Sequence, residues 1–324
     1  MFDVITIGSA TLDVFIRSKG LEVEKTDGTR DICVRYGAKI PVEELSFASG
    51  GGGTNTAVTF ARQGLKVASI VKVAGDFSGK KVIEDLVKEG VETKFIVEEK
   101  GGQTDYSTIL YVPDGGRTIL VYRGKTRLEI GEIPWEELAA SWFYISSVEG
   151  NLKIIEDCQS KVVNCQIAWN PGGEELAQKK EVLKLLSKVR LLNLNKEEMA
   201  ELLEIQSENL GQLLKKACKL PCQYVVITDD KNGSYLYQQG QDFWWHCGIF
   251  EKVPRRETTG AGDSFGSGLV TGLIKGFSLK DCLKLASANA SSVVSQVGAK
   301  EGILKVEAVE NWLGREITLD RINL

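Results

Sequence analysis

The sequence of 324 residues contains a single histidine, His246, which lies in the aromatic segment Phe243–Cys247. A Ser-His-Asp or Cys-His mechanism would have to use that residue, and a metal site with several histidine ligands is excluded. We expect His246 to serve packing or the surface. Proton transfer near neutral pH is then expected from carboxylates.

The sequence also lacks a strong charge, a long apolar run and an ordered cysteine pattern. A formal net charge of −4 provides no field that would attract nucleic acid or an anionic membrane, so we expect neither as a partner. With no apolar stretch of membrane-spanning length and no leader-like start, we expect a cytoplasmic protein. The seven cysteines are scattered without the spacing of a zinc site, which favours reduced structural thiols.

The most informative segment that is present is Glu257–Asp263, with the sequence Glu-Thr-Thr-Gly-Ala-Gly-Asp. Apolar residues recur every four positions from Phe265 to Leu273, which predicts a helix that begins near Gly262. Unpaired N–H groups at a helix N-terminus attract phosphate, and glycines let an anion approach closely. Because a carboxylate repels phosphate, Asp263 fits better as a base in phosphoryl transfer. A simple turn with a helix N-cap would use the same residue types.

A second glycine-rich segment, Gly50–Gly53, leads through Thr54 into Asn55 and a predicted helix. Glycines permit the close approach of a ligand, and an amide side chain can bind a polyol. A flexible loop before a helix would not require an amide at a fixed place. Neither a P-loop nor the dinucleotide-binding pattern G-x-G-x-x-G fits the glycine spacing of the chain.

Strands and helices alternate along most of the chain, which predicts a mainly parallel sheet with helices on both faces. Extended segments near residues 14–47 and 94–122 depart from that alternation. We expect them to form a small β-sheet that acts as a lid over a site on the main sheet. The exposed strands of such a lid could pair between two chains, so a homodimer is one expectation.

These motifs together resemble the ribokinase/PfkB family of carbohydrate and nucleoside kinases. Gly50–Asn55 matches the first family signature, Glu257–Asp263 matches the second, and Asn195–Glu198 matches the N-x-x-E element between them. The resemblance implies a single ribokinase-like domain over residues 1–324. Its fold would be a three-layer α/β/α structure with a mainly parallel central sheet and a small β-sheet lid.

The resemblance implies ATP-dependent phosphorylation of a hydroxyl of a small sugar or sugar derivative. A nucleoside kinase of the same family is the alternative, and a non-catalytic sugar- or nucleotide-binding sensor is a third reading. The implied cofactors are ATP and Mg²⁺. Glu257 replaces the Asp that often helps to form a K⁺ site in the family, so K⁺ is in doubt although Thr259 is retained.

The family motifs imply a role for each matching residue on the phosphate side. Asp263 resembles the base that deprotonates the acceptor hydroxyl, while Asn195 and Glu198 resemble the pair that organises Mg²⁺ through water. Asn195 and Glu198 also fit a helix N-cap with an acid at N3. The residues expected to form the anion hole are Gly260, Ala261 and Gly262. Those expected on the nucleotide side are Asn195, Thr228, Lys231, Gly233, Thr259 and Asn289.

On the acceptor side, Asp13 corresponds to the acid that clamps sugar hydroxyls, since a carboxylate accepts hydrogen bonds from two of them. Arg123 would bind an acidic sugar or a phosphate, or would be a solvated arginine on an edge strand. Gly52 stands where ribokinase has Lys, which argues against a strict ribokinase and leaves room for a nucleoside base. The residues expected to line the acceptor pocket are Asp13, Thr11, Gly51, Gly52, Asn55, Glu149 and Arg123.

Overall fold

The computed structural model describes residues 1–26, 29–112 and 116–324. The strands in these residues are β1 (Phe2–Ile7), β2 (Thr11–Arg17), β3 (Glu22–Thr26), β4 (Thr29–Cys33), β5 (Glu44–Gly50), β6 (Val67–Ile70), β7 (Lys72–Ala74), β8 (Val97–Glu99), β9 (Asp105–Tyr111), β10 (Arg117–Tyr122), β11 (Ala140–Ile145), β12 (Gln166–Trp169), β13 (Leu191–Asn195), β14 (Tyr224–Thr228), β15 (Ser234–Gln238), β16 (Phe243–Cys247) and β17 (Leu319–Asn323). The helices are α1 (Gly52–Arg62), α2 (Phe77–Lys88), α3 (Lys153–Lys161), α4 (Gly173–Leu176), α5 (Lys179–Leu185), α6 (Lys196–Leu203), α7 (Leu210–Ala217), α8 (Ala261–Ile274), α9 (Leu279–Val294) and α10 (Val306–Leu313).

Nine strands form the main sheet in the order β17-β16-β15-β14-β13-β12-β11-β1-β6. The pairs from β6 to β14 are parallel, and β15, β16 and β17 are added antiparallel. The inner strands are continuous apolar runs because both faces of a parallel sheet are covered.

Two cores lie on opposite faces of this sheet. In β1, Ile5 and Ile7 belong to the core that includes residues of α3, α6 and α7, whereas Val4 belongs to the core of α1, α8 and α9. This alternation follows from the two-residue period of a strand. The predicted three layers with a mainly parallel central sheet are confirmed.

A small sheet of four strands lies apart from the main sheet, in the order β10-β9-β2-β5. It takes strands from both segments that were predicted to form the lid. β8, in the second segment, instead pairs in parallel with β7. In the small sheet Asp13 pairs with Ser107 on one side and Ala48 on the other.

Several elements differ from the sequence prediction. Residues 174–187, whose sequence pattern predicts one helix, are divided between α4 and α5, and the sequence predicts neither α10 nor β17. β17 is an edge strand with exposed polar residues, so it lacks the apolar pattern of the inner strands. His246 serves packing, as expected, because its ring stacks on Tyr235 with centroids 5.0 Å apart.

Among the helices of the described residues, none is both long and apolar enough to cross a membrane.

Arg62, at the end of α1, ties this helix to two other parts of the chain. Its guanidinium forms two hydrogen bonds to the Glu89 carboxylate (2.7 and 2.8 Å) and donates to the carbonyls of Lys300 and Ile303. We expect Arg62→Ala to lower the free energy of unfolding by about 3 kcal/mol, because Glu89 and two carbonyls lose their partner. Urea denaturation measures this loss.

The matched control is Arg17→Ala, which removes a surface ion pair to Glu44 whose side chains are 55% and 68% exposed. Such exposed pairs contribute about 0.5 kcal/mol. Equal losses in the two variants would contradict the structural role of Arg62.

Candidate active site

The loop before α8 has a backbone that requires glycine at Gly260. This residue is the N-cap of α8, with a φ of +75°, and an added Cβ would lie 2.6 Å from the Cβ of Ala299. Both the left-handed conformation and the lack of space exclude a side chain. The first turn of α8 leaves backbone N–H groups without partners inside the helix, and the helix dipole adds positive potential there. The helix end is therefore suited to hold an anion.

Asp263, in the first turn of α8, places its carboxylate against the start of α1. The amide of Asn55 donates from Nδ2 to Oδ2 of Asp263 at 2.9 Å. An added Cβ at Gly52 would lie 3.3 Å from Oδ1 of the same carboxylate. The two signature segments, 208 positions apart, thus meet in one hydrogen bond.

The environment of this pair favours proton acceptance. Burial raises the pKa of the Asp263 carboxyl above its ordinary value, while the hydrogen bond from Asn55 and the charge of Lys300 oppose that rise. Asn55 is 3% exposed, and its Oδ1 has no hydrogen-bond partner among the described residues. A buried oxygen without a partner is costly, so a hydroxyl bound here would gain a ready acceptor.

Asp13 lies on the inner side of the small sheet, close to the same glycine run. It is 6% exposed, and the hydroxyl of Thr11 donates to its Oδ1 at 3.4 Å. An added Cβ at Gly50 would lie within 2.1 Å of Oδ2 of Asp13, so this acid packs directly on the run. Burial raises the pKa of the Asp13 carboxyl, against hydrogen bonds from Ser107 and Thr11 and the charge of Lys300.

Glu149 and Arg123 belong to a second group, centred on Asp105. Arg123 pairs with Asp105 at 3.0 Å, and its side chain is 61% exposed. Burial and the charge of Asp105 raise the pKa of the Glu149 carboxyl, and Arg123 opposes this. Asp105 lies opposite Thr11 in the small sheet, so the group borders the acceptor side. Arg123 is already neutralised by an acid, which weakens its predicted role as a ligand for an anionic substrate.

A polar cavity of about 180 Å³ lies at the N-terminus of α8. It brings together most residues predicted for the phosphate side. Its lining consists of Asn170, Asn193, Asn195, Glu198, Thr228, Gly260, Gly262 and Asp263. Side-chain amides, a hydroxyl and backbone N–H groups dominate this list, so the cavity offers donors for an anion together with oxygen atoms for a hydrated cation.

Asn195 and Glu198 form the capping box that begins α6. Asn195 Oδ1 accepts from the N–H of Glu198 at 2.8 Å, and Glu198 Oε2 accepts from the N–H of Asn195 at 2.9 Å. The Oε1 atom of Glu198 takes no part in the box. Burial raises the pKa of the Glu198 carboxyl, so a cation nearby would stabilise its charged form. One carboxylate oxygen and several amides fit a Mg²⁺ ion that keeps most of its waters.

A mainly apolar cavity of about 160 Å³ adjoins the polar one, with Thr228 and Gly262 lining both. Phe250, Val253 and Phe265 are among its apolar residues, and Gly233 lies at its edge. The cavity has the character of a site for a flat, largely apolar ring.

Two charged residues, Asp230 and Arg255, also line the apolar cavity and form an ion pair there. Asp230 has a φ of +43°, a conformation that favours glycine.

The structure does not bring three of the predicted nucleotide residues to either cavity. Lys231 is exposed, and Thr259 is half-buried on the loop before α8. Asn289 is 1% exposed, its Nδ2 donates to the carbonyl of Ser264 and its Oδ1 accepts from the N–H of Leu304. Asn289 therefore holds α9 to its neighbours and has no group left for a nucleotide. Other residues of α9 line the apolar cavity: Ser287, Ala290, Ser291 and Val294.

Three residues in or near the site were not predicted from the sequence: Asn170, Asn193 and Lys300. Asn170 follows β12 and donates to the carbonyl of Asn193 at 2.8 Å. A signal existed for both, since Asn170 comes at the carboxyl end of a parallel strand and Asn193 shares a strand face with Asn195. Lys300 had no such signal, because a lysine in a short polar loop is typical of a solvated turn.

Glu257 is buried below the loop that precedes α8. Its Oε2 accepts from the N–H of Gly298 at 2.7 Å, and its Oε1 has no hydrogen-bond partner among the described residues. Oε1 of Glu257 is therefore the atom of this carboxylate that would hold a K⁺ ion bound here.

A model of the pfkB family of carbohydrate kinases matches residues 1–305. The chain belongs to this family. It is a phosphotransferase with an alcohol group as acceptor, as predicted.

Relatives in the pfkB family have distant sequences and the same fold. The chain is 23% identical to a ribokinase of Arabidopsis thaliana, over 91% of this chain and 77% of the relative. It is 25% identical to a 5-dehydro-2-deoxygluconokinase of Bacillus subtilis, over 96% of each. The structure of Arabidopsis thaliana ribokinase complexed with ribose and ATP has a TM-score of 0.79 at 21% identity, covering 97% of this chain and 99% of that one.

A nucleoside kinase of Burkholderia thailandensis in complex with inosine has a TM-score of 0.76 at 13% identity, covering 96% of this chain and 97% of that one. The predicted ribokinase-like fold is confirmed. Since sugar and nucleoside kinases share it to a similar degree, the fold does not select the acceptor.

Proposed function

We propose that the protein is an ATP-dependent kinase that phosphorylates a hydroxyl of a small sugar or sugar derivative, with Asp263 as the base. The observation that carries this proposal is the 2.9 Å hydrogen bond between Asn55 and Asp263. It sets a half-buried acid between the glycine run on one side and the polar cavity on the other. A base for phosphoryl transfer needs this position, because it must contact the acceptor hydroxyl while the phosphate lies at the helix end.

In the proposed reaction the acceptor hydroxyl gives its proton to an oxygen of Asp263. The freed oxygen attacks the γ-phosphorus of ATP in line, and ADP leaves. The raised pKa of Asp263 makes it a better proton acceptor than an ordinary aspartate, provided that it is ionised at the working pH. Asp13 and Asn55 would orient neighbouring hydroxyls, and positioning supplies most of the rate.

The two adjoining cavities fit the two halves of ATP. The apolar cavity suits the adenine ring, and the polar cavity at the N-terminus of α8 suits the phosphates. Gly260, Ala261 and Gly262 would form the anion hole that stabilises charge on the transferred group. Asn195 and Glu198 would hold Mg²⁺ through water, and the ion supplies positive charge for the phosphates. The homologous Arabidopsis thaliana structure contains ATP together with ribose.

We also propose that the small sheet covers the acceptor during the reaction. Arg117 of this sheet donates to the hydroxyl of Thr258 at 3.0 Å, beside the anion hole. The inner face of the sheet carries Asp13 and Ser107, so closure brings acceptor-binding groups with it. A covered acceptor excludes the water that would otherwise be phosphorylated.

The test of the function is an ADP-release assay with Mg²⁺ and ATP against neutral sugars, sugar acids and nucleosides. We expect turnover with a sugar. We expect Asp263→Asn to lower kcat at least ~10²-fold, because the acceptor hydroxyl loses its base, while the Kd for nucleotide stays nearly unchanged. Asp320→Asn, on the exposed edge strand β17, is the matched control and should leave kcat unchanged.

Near-normal turnover of Asp263→Asn would remove this residue from the role of base. Turnover of nucleosides alone would identify a nucleoside kinase. No turnover with any acceptor, together with tight sugar binding, would favour a sensor.

We further propose a homodimer that forms through the small sheet. Both edge strands carry exposed apolar side chains, including Leu45 (58% exposed) and Phe47 (49%) on β5. The exposed apolar residues of the other edge, β10, are Ile119, Leu120, Val121 and Tyr122. An open edge of this kind is a template for pairing with a second chain.

We expect the protein to sediment as a dimer and the double variant Leu45→Lys/Phe47→Lys to sediment as a monomer, because charge on an edge strand opposes pairing. Analytical ultracentrifugation measures this. Val163→Lys, at a residue 79% exposed between α3 and β12, is the control. A wild-type monomer, or a dimer that survives the double variant, would contradict pairing through β5.

A further inference from the structure

Lys300 is a buried lysine beneath the glycine run. It is 7% exposed, and its Nζ donates to Ser49 Oγ and to Thr54 Oγ1, each at 2.7 Å. Ser49 lies on β5 of the small sheet, and Thr54 lies in the first turn of α1. The ammonium group therefore joins the two flanks of the run, one on the small sheet and the other on the main α/β body.

The contact with Thr54 extends into the backbone of the run. The Thr54 hydroxyl, which accepts from Lys300, donates to the carbonyl of Gly50 at 2.7 Å. Gly50 is the residue on which Asp13 packs, and Asn55 follows Thr54 in the same helical turn. Lys300 is thus linked by hydrogen bonds to the residue beside Asp13, and through the backbone of Thr54 to Asn55, the partner of Asp263.

The charges of four carboxylates oppose the lowering of the Lys300 pKa by burial, but among the described residues none accepts a hydrogen bond from its ammonium group. They are Asp13 on β2, Asp85 on α2, Glu89 after α2 and Asp263 on α8. Two of them have cations of their own. Lys81 pairs with Asp85 at 2.7 Å, and Arg62 pairs with Glu89 at 2.7 Å.

The other two acids, Asp13 and Asp263, depend on Lys300. Its positive charge lowers the pKa of each carboxyl, and among the described residues neither acid forms an ion pair with a cationic side chain. The charge of Lys300 stabilises the charged form of the acids, whereas burial destabilises the charged form of the lysine itself. Burial lowers the pKa of Lys300 to about 7. Burying an ammonium group with only two hydroxyl partners costs free energy of folding. A loop with a purely structural role would not require a charged residue at this place.

We propose that Lys300 is a positioning residue for phosphoryl transfer, which holds the glycine run through Ser49 and Thr54 and supplies the shared counter-charge for Asp13 and Asp263. This inference rests on the proposed function and adds a residue outside the signature segments. Lys300 lines neither the polar nor the apolar cavity. It acts through the two acids and through the position of the run.

The test compares Lys300→Met with wild type in kinetics over a range of pH. Loss of the shared cation raises the pKa of both acids, and the base must be ionised to act. The pH at which kcat falls on the acid side therefore moves upward, by about one pH unit. The KM for the acceptor rises about 10-fold as the run loosens, while the Kd for ATP changes less than about 2-fold.

Lys72→Met is the matched control. Lys72 is also a buried lysine, at 5% exposed, and it pairs with Glu99 and Glu132 away from the glycine run. Both variants should lose stability. Only Lys300→Met should shift the pH at which kcat falls on the acid side and raise the KM for the acceptor. If Lys300→Met lowers stability and leaves both kinetic readouts unchanged, its role is structural and the proposal is overturned.

Two further measurements keep the test decisive. If Lys300→Met does not fold, Ser49→Ala/Thr54→Val removes both hydroxyl partners and keeps the cation. A raised acceptor KM supports the proposal, and an unchanged one overturns it. Carbon-13 titration of the Asp13 and Asp263 carboxyls, assigned with Asp→Asn variants, needs no substrate.

Carboxyl pKa values that rise in Lys300→Met support the shared counter-charge, and unchanged values overturn it. A wild-type protein that is inert towards every acceptor while these pKa values still rise would refute the proposed function alone.

Discussion

The Asp263 carboxylate sits in a place that water cannot fully solvate, and the rest of the site is arranged around that constraint. Burial penalises its charge, so its ionised form depends on the hydrogen bond from Asn55 and on the charge of Lys300. The same burial makes it a stronger proton acceptor than a surface aspartate. In the proposed role of base, Asp263 combines two properties that oppose each other, since the helix end beside it attracts the phosphate that an acid repels.

Glycine makes this arrangement sterically possible. Gly50 leaves space that the Asp13 carboxylate occupies, and Gly52 leaves space for Ser146 with the Asp263 carboxylate close by. Gly260 adopts a backbone conformation and a spacing that exclude a side chain. The glycine run therefore lies against two acids, Asp13 from the small sheet and Asp263 from α8. A residue with a Cβ at Gly50 would displace the acid of the small sheet, which connects substrate binding to the packing of the two sheets.

The distribution of charge separates the two halves of the site. The polar cavity, with backbone N–H groups and amides, suits phosphates, whereas the acceptor side is bordered by the acids Asp13, Asp105 and Glu149. Arg123, a cation on that side, is paired with Asp105. An acceptor with hydroxyl groups and no charge fits these surroundings better than an anion does, because it donates hydrogen bonds to acids without repelling them. A neutral sugar and a nucleoside both meet this condition.

The sequence by itself determined the α/β class, the family, and the glycines and acid of the two signatures, because these depend on local requirements: strand–helix alternation, left-handed glycines and a carboxylate in the first turn of a helix. It also located Asn195 and Glu198, whose capping box is local. Only the tertiary structure decided which side chains share a space. It buried Asn289 of α9 against α8 and grouped Glu149 and Arg123 around Asp105. It also brought Asn170 and Asn193 to the polar cavity at the N-terminus of α8. It also placed Lys300 under the glycine run, about 250 positions away in the chain. The direction and burial of a side chain depend on long-range packing, which no local pattern encodes.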